Sequence, residues 1–157
     1  MAGASARVLT GTLLMLAALH RPAPLEAQTS IGTWVRRGGG NPGAPTVTMT
    51  IEACCGGGRR VTYRSHGPAG DQVMTIDSPM DGTPAPILVH GKPSGETMAI
   101  RRIDARHSET VVAMNGKPYG TSRATLSANN DTLTVENLTE LAGSHGQGMK
   151  VEVWVRQ

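Results

Sequence analysis

The segment Thr46-Val47-Thr48-Met49-Thr50-Ile51 alternates strictly between threonines and apolar side chains. Successive side chains of a β-strand point to opposite faces, so this period of two predicts a half-buried strand. The closing segment 149–156 alternates in the same way, and its apolar face consists of Met149, Val151, Val153 and Val155. We therefore expect strands whose Met, Val and Ile side chains form an inner face.

Apolar residues two positions apart predict further strands between these two segments. Turn signals such as Gly67-Pro68-Ala69-Gly70 and Asn115-Gly116 separate them at short intervals, and Asn-Gly accepts the positive φ values of tight hairpins. No window of twelve or more residues shows a helical stripe. The pattern predicts an all-β, antiparallel up-and-down meander of eight or nine strands, closed into a barrel or split into a β-sandwich. The apolar residues that mark these further strands, two in each strand, are Val61 and Tyr63, Met74 and Ile76, Met98 and Ile100, Val112 and Met114, and Leu133 and Val135.

The N-terminal segment has the features of a secretory signal peptide. An apolar run from Val8 to Leu19 is shorter than the ~18 residues of a membrane span, and it ends at Pro22-Ala23-Pro24. We expect residues 1–27 to be a cleaved signal peptide and residues 28–157 to form a single β-barrel domain. A periplasmic or secreted location follows, with no membrane span.

The charge pattern argues against nucleic-acid binding. Residues 28–157 carry thirteen basic and eleven acidic side chains, a net charge of +2. The arginines occur as the pairs Arg36-Arg37, Arg59-Arg60 and Arg101-Arg102 and not as a basic run. We interpret them as solvated strand ends.

The sequence contains no recognisable catalytic set. A nucleophile needs an adjacent base and a group that orients the base, yet there is no G-x-S-x-G turn and no prominent carboxylate pair. We assign no catalytic residue, and an isomerase or hydrolase at the barrel mouth stays an alternative. The histidines of the predicted domain all lie in or beside predicted turns: His66, His90, His107 and His145.

The chain has two cysteines, Cys54 and Cys55, which are adjacent in a predicted hairpin connection. They have no spacer and no histidine within ten residues, so they lack the spacing of a structural zinc site. We predict no metal and no cofactor. Adjacent cysteines bond to each other only through a strained eight-membered ring. An exposed, redox-active pair that closes this ring or pairs between molecules is expected.

The order of several short motifs resembles a family of small exported bacterial proteins described as lipocalin-like. This resemblance implies a closed lipocalin-like barrel and favours it over the sandwich. The motifs are Gly32-Thr33-Trp34, Asn41-Pro42-Gly43-Ala44-Pro45, Met80-Asp81-Gly82, Val89-His90-Gly91-Lys92-Pro93, the segments 97–104 and 131–135, and Val153-Trp154-Val155-Arg156-Gln157.

The resemblance also implies a structural role for Trp34 and Arg156. Gly32-Thr33-Trp34 is similar to the Gly-x-Trp that opens the first strand of lipocalins, where a basic side chain from the last strand packs over the tryptophan. Arg156 is the candidate here, and a guanidinium over an indole gains ~0.5 to 2 kcal/mol.

The expected function is binding of a small apolar molecule inside the barrel. A barrel of about eight strands with no Phe and a methionine-rich inner face has room for one small ligand. The alternative is a structural or protein-interaction module of the cell envelope whose barrel is filled. The expected ligand-binding residues are Met49, Tyr63, Met74, Met98 and Met114, with Arg123 to meet a ligand carboxylate.

Overall fold

The computed structural model describes residues 29–37, 46–67, 70–138 and 150–157. The predicted signal peptide, Met149 and His145 lie outside these residues. The described part contains ten β-strands and no helix, and so no helix long and apolar enough to cross a membrane. The strands are β1 (Gly32–Arg36), β2 (Thr46–Cys54), β3 (Gly58–His66), β4 (Gln72–Ser78), β5 (Asp81–Val89), β6 (Lys92–Arg102), β7 (His107–Met114), β8 (Lys117–Leu126), β9 (Thr132–Leu138) and β10 (Lys150–Arg156).

Each strand pairs antiparallel with its neighbours in sequence, and β1 closes the sheet by pairing with both β2 and β10. At the closure Trp34 lies opposite Met49 on one side and opposite Arg156 on the other. The architecture is a closed, lipocalin-like up-and-down barrel. The predicted fold class is confirmed, and the sandwich alternative is wrong.

The barrel has ten strands where eight or nine were predicted, because two strands lack an apolar alternation. In β5, Pro84 and Pro86 resemble turn residues, although Ala85 and Ile87 between them are buried. Proline lacks the N–H that a ladder needs, which makes such a strand hard to recognise. In β8 the inward positions before Leu126 are small or polar, so most of this strand shows no hydrophobic pattern.

The strand ends form two rims. We call the end of the barrel at which β1, β3, β5, β7 and β9 end the upper rim, and the opposite end the lower rim. The predicted Asn-Gly hairpin joins β7 to β8 at the upper rim, with φ of 50° at Asn115 and 77° at Gly116. His90 and Gly91 adopt the same pair of left-handed conformations between β5 and β6, with φ of 48° and 76°.

The hydrophobic core lies in the lower half of the barrel. Trp34 is completely buried, and Tyr63 packs edge-on against Trp154 with ring centroids 5.9 Å apart. A smaller cluster of Ile76, Ala85 and Ile87 covers the inside of β4 and β5. The main cluster consists of Trp34, Met49, Ile51, Val61, Ile100, Leu126, Leu133 and Trp154.

The orientation of β10 differs from the predicted one. Trp154 is buried opposite Leu133 of β9, so the even-numbered residues of β10 face the interior. Val151 is 51% exposed, and its alternation places Val153 and Val155 on the same outer face. The expected valine face of β10 is therefore on the outside, because the pairing with β1 and β9 fixes which side is inward.

Candidate ligand cavity

The barrel interior contains a cavity of about 290 Å³, lined in part by side chains of the core such as Ile51, Val61 and Ile100. Its apolar wall comes from β2, β3, β4 and β6, whose inward positions carry methionine and branched aliphatic side chains. Methionine is flexible and polarisable, so this wall can adapt to an apolar molecule. The side chains of this wall include Met49, Ile51, Val61, Met74, Met98 and Ile100.

The opposite wall of the same cavity carries polar side chains among apolar ones, and we call it the polar wall; its apolar members are Val112, Ala124, Leu133, Val135 and Trp154. Its inward side chains belong to the four consecutive strands β7 to β10 and follow the alternation of each strand. Ser108, Thr110, Ser122 and Asn137 make no side-chain hydrogen bond to any residue that the structure describes. Their hydroxyl and amide groups are thus free to bond to a ligand or to water.

A second cavity of about 410 Å³ lies toward the upper rim and shares Tyr63, Met74, Glu152 and Trp154 with the first. The Glu152 carboxylate is accompanied by two cations, with its Oε1 3.6 Å from Nη1 of Arg36 and 3.5 Å from Nζ of Lys150. The two cavities therefore meet at a charged group inside the barrel.

Tyr63 lies at this junction with its phenol in the interior. Burial raises the pKa of Tyr63 to about 12, and the negative charge of Glu152 adds to the rise. The hydroxyl therefore keeps its proton at neutral pH. It is available as a hydrogen-bond donor beside the carboxylate.

The Trp34–Arg156 pair lies at the lower end of the barrel. The Arg156 guanidinium carbon lies 4.3 Å from the centroid of the Trp34 ring. Arg156 also donates hydrogen bonds to the backbone oxygens of Asn130 (2.6 Å), Ile31 (2.6 Å) and Thr29 (3.0 Å). The structure thus brings the two residues together as the resemblance implied, in a structural contact between β1 and β10.

The surroundings of Gly32 explain why the Gly-Thr-Trp motif begins with glycine. A Cβ at this position would lie 2.4 Å from Nη1 of Arg156, and the backbone has φ of +142°. Only glycine leaves space for the guanidinium at this φ.

Four of the six predicted ligand-binding residues line the cavity, namely Met49, Tyr63, Met74 and Met98. Met114 does not, which corrects its predicted placement: it ends β7 beyond a β-bulge at Val112/Ala113 and is 40% exposed.

Arg123 also lies outside the cavity, and its predicted placement is corrected. Its neighbours Ser122 and Ala124 point inward, so Arg123 faces solvent, where its Nε lies 3.3 Å from Oε1 of Glu109. A ligand carboxylate inside the barrel cannot reach it there.

Sequence reasoning missed Glu152 and the polar wall. A signal for Glu152 was nevertheless present: if Arg156 packs inward over Trp34, the period of two also turns Trp154 and Glu152 inward. The polar wall had no such signal, because serine, threonine and asparagine at alternate positions fit the outer face of a strand equally well.

The described histidines lie at the rims and do not line either cavity. His66 pairs with Asp71, and His90 contacts the Gln72 side chain at 3.3 Å. The His107 imidazole lies 2.8 Å from the Asp104 carboxylate within the β6–β7 turn.

The two cysteines are bonded to each other at the tip of the β2–β3 hairpin. Cys55 is exposed and Cys54 is half-buried, and neither lines the cavity. The predicted exposed pair is therefore present as a closed ring.

The barrel is similar to two solved structures of the fluorescent protein UnaG, which are mutants that differ in the replacement of one asparagine. The mutant with alanine in place of this asparagine has a TM-score of 0.56 and 16% identity, and the match covers 81% of this chain and 95% of that one. The mutant with glutamine there has a TM-score of 0.55 and 17% identity, and the match covers 80% and 94%. At this identity the likeness shows the fold alone. No family model and no curated protein sequence matches the chain.

Proposed function

We propose that this protein binds one small, mostly apolar molecule with hydrogen-bonding groups along one side. The observation that carries the proposal is the two-sided cavity, in which a methionine-rich wall faces a mixed wall whose hydroxyl and amide groups have no protein partners among the described residues. Binding sites for small molecules typically combine such an apolar lining with a few placed polar groups. The alternative of a structural module assumes a filled barrel, whereas the interior of this barrel contains two cavities.

The polar groups indicate the chemistry of the ligand. Glu152 accepts hydrogen bonds, while Tyr63 and Arg36 donate them, so the junction of the two cavities suits a group that both donates and accepts. The cavity volumes of about 290 and 410 Å³ suit a compact ligand extended from the core toward the upper rim.

Native mass spectrometry and displacement of a fluorescent fatty acid probe test this proposal. We expect a bound apolar molecule or saturable probe binding with the unmodified chain. Met98→Trp, which places an indole in the cavity, should abolish binding. Met114→Trp, the same change outside the cavity, should not. Probe binding that neither substitution alters, or an empty protein that takes up no probe, would refute the proposed site.

Two conservative substitutions test the polar wall separately. Thr110→Val and Ser122→Ala remove a hydroxyl each and leave the apolar wall intact. If the ligand bonds to these groups, each change should weaken binding about three- to tenfold, since a hydrogen bond contributes about 0.5–1.5 kcal/mol. Unchanged affinity in both variants would mean that the ligand uses the methionine wall alone.

Export directed by residues 1–27 is part of the same proposal. The apolar run and the proline-rich segment after it support export. Intact mass of the protein recovered from a secreting bacterial host should correspond to a chain starting at Gln28. A chain that keeps Met1 and stays in the cytoplasm would contradict it.

A further inference from the structure

Three metal-ligating groups meet on the outside of the barrel, away from the cavity. The sulfurs of Cys54 and Cys55 and a carboxylate oxygen of Asp77 all lie within 4.8 Å of one another. The cysteines belong to the β2–β3 hairpin and Asp77 to β4, so the pairing of β3 with β4 creates the cluster. Within the described residues it is the single such group of three histidine, cysteine or acidic side chains.

Arg60 holds the carboxylate of this cluster in place. Its Nε and Nη2 donate hydrogen bonds of 2.7 Å to Oδ1 and Oδ2 of Asp77, and they lower the pKa of Asp77. A carboxylate has about four acceptor positions, so two stay free after these bonds. Carboxylates that bind metal ions are commonly oriented by such hydrogen bonds.

The surroundings leave room for an ion with its water. No atom lies within 4 Å of the position where a Cβ of Gly56 or Gly57 would stand, so this loop opens to solvent. Cys55 and Asp77 are exposed as well.

We propose that reduction of the Cys54–Cys55 disulfide creates a site for one divalent cation of the zinc class, bound by both thiolates and Asp77. A dithiol reductant supplies two electrons and two protons, becomes a disulfide itself, and leaves two thiols on the protein. The cation then displaces both thiol protons, which pass to solvent. Thiolates prefer such thiophilic ions, and water completes the tetrahedral set.

The charges of the reduced site balance. Two thiolates and one carboxylate carry three negative charges, and Arg60 and a divalent cation carry three positive ones. In the disulfide state the sulfurs have no negative charge and the site does not form. Binding of the cation is thus conditional on reduction, and it is independent of the ligand proposed for the cavity.

The experiment uses the full chain, reduced with a small dithiol and desalted without oxygen. Zn²⁺ is titrated against a chromophoric chelator, and Cd²⁺ is followed by its thiolate charge-transfer absorption in the near ultraviolet. We expect one ion per reduced chain and none for the oxidised chain. Asp77→Asn should weaken binding by about tenfold or more. The matched control Glu52→Gln, which removes another acid beside Arg60, should leave the affinity unchanged.

Two results would overturn the proposal. One is a reduced chain that binds Zn²⁺ no more tightly than the variant with both Cys54→Ser and Cys55→Ser. The other is an Asp77→Asn variant with the affinity of Glu52→Gln, which would leave the cysteines alone as ligands. Protection of the reduced thiols from iodoacetamide by Zn²⁺ gives an independent readout. None of these measurements involves the cavity, so they can fail while ligand binding stands.

Discussion

Substitution of Gly32 by alanine should destabilise the barrel by disturbing one side chain, that of Arg156, which contacts Trp34. The new Cβ would lie 2.4 Å from Nη1 of Arg156, so the guanidinium must leave its position over Trp34. The backbone at φ +142° adds a conformational penalty of roughly 1–2 kcal/mol for a residue with a Cβ.

The magnitude follows from what Arg156 contacts. It donates three hydrogen bonds to backbone oxygens, and at a half-exposed rim each contributes about 1 kcal/mol net. With a cation–π contact of about 0.5–2 kcal/mol, Arg156→Met should lower the free energy of unfolding by about 4 kcal/mol. Gly32→Ala, which displaces the same side chain and strains the backbone, should cost about 5 kcal/mol.

A double-mutant cycle separates this mechanism from a general loss of stability. If Gly32→Ala acts through Arg156, the double variant should also lose about 5 kcal/mol, where independent effects would add to about 9 kcal/mol. The free energy of unfolding is measured by urea denaturation at low temperature, with tryptophan fluorescence as the signal. Gly82→Ala is the control, since φ is +93° there but the nearest side-chain atom lies at an ordinary 3.6 Å. Additive losses in the cycle would refute the reasoning.

Two further predictions concern packing and ionisation. Gly58→Ala should lower the free energy of unfolding, measured by urea denaturation, by roughly 3 kcal/mol, because its Cβ would lie 2.3 Å from the backbone oxygen of Ser78. A loss below about 1 kcal/mol would contradict the close packing of Gly58 against Ser78. Burial of Tyr63 and the hydrogen bond from Tyr119 to Glu96 raise both pKa values to about 12. Absorbance at 295 nm should therefore show no phenolate near pH 10 in the folded protein, and Glu96→Gln should lower the pKa of Tyr119 back toward 10. The free energy of unfolding should fall as the pH rises from about 10 to 12, because the tyrosines of the unfolded chain ionise first.

The sequence determined the class of the fold and most of its strands. Alternation of Val47, Met49 and Ile51 with threonines is a local pattern, and β2 follows it in the structure. The Asn115-Gly116 turn is local as well, since its φ values depend on those two residues. The closure of the barrel beneath Trp34 could also be anticipated, on the strength of a motif resemblance.

Only the tertiary structure decided which face of β10 lies inside and which distant residues meet. Apolar side chains occur on both faces of this strand, so its pattern does not orient it, and the pairing with β1 and β9 turned Glu152 inward and Val153 outward. The cavity, with its polar wall, depends on the registers of all ten strand pairings in the closed barrel. Asp77 lies beside Cys54 and Cys55 because strand pairing brings together residues that are far apart in the chain. No local sequence pattern indicates that these three residues are neighbours.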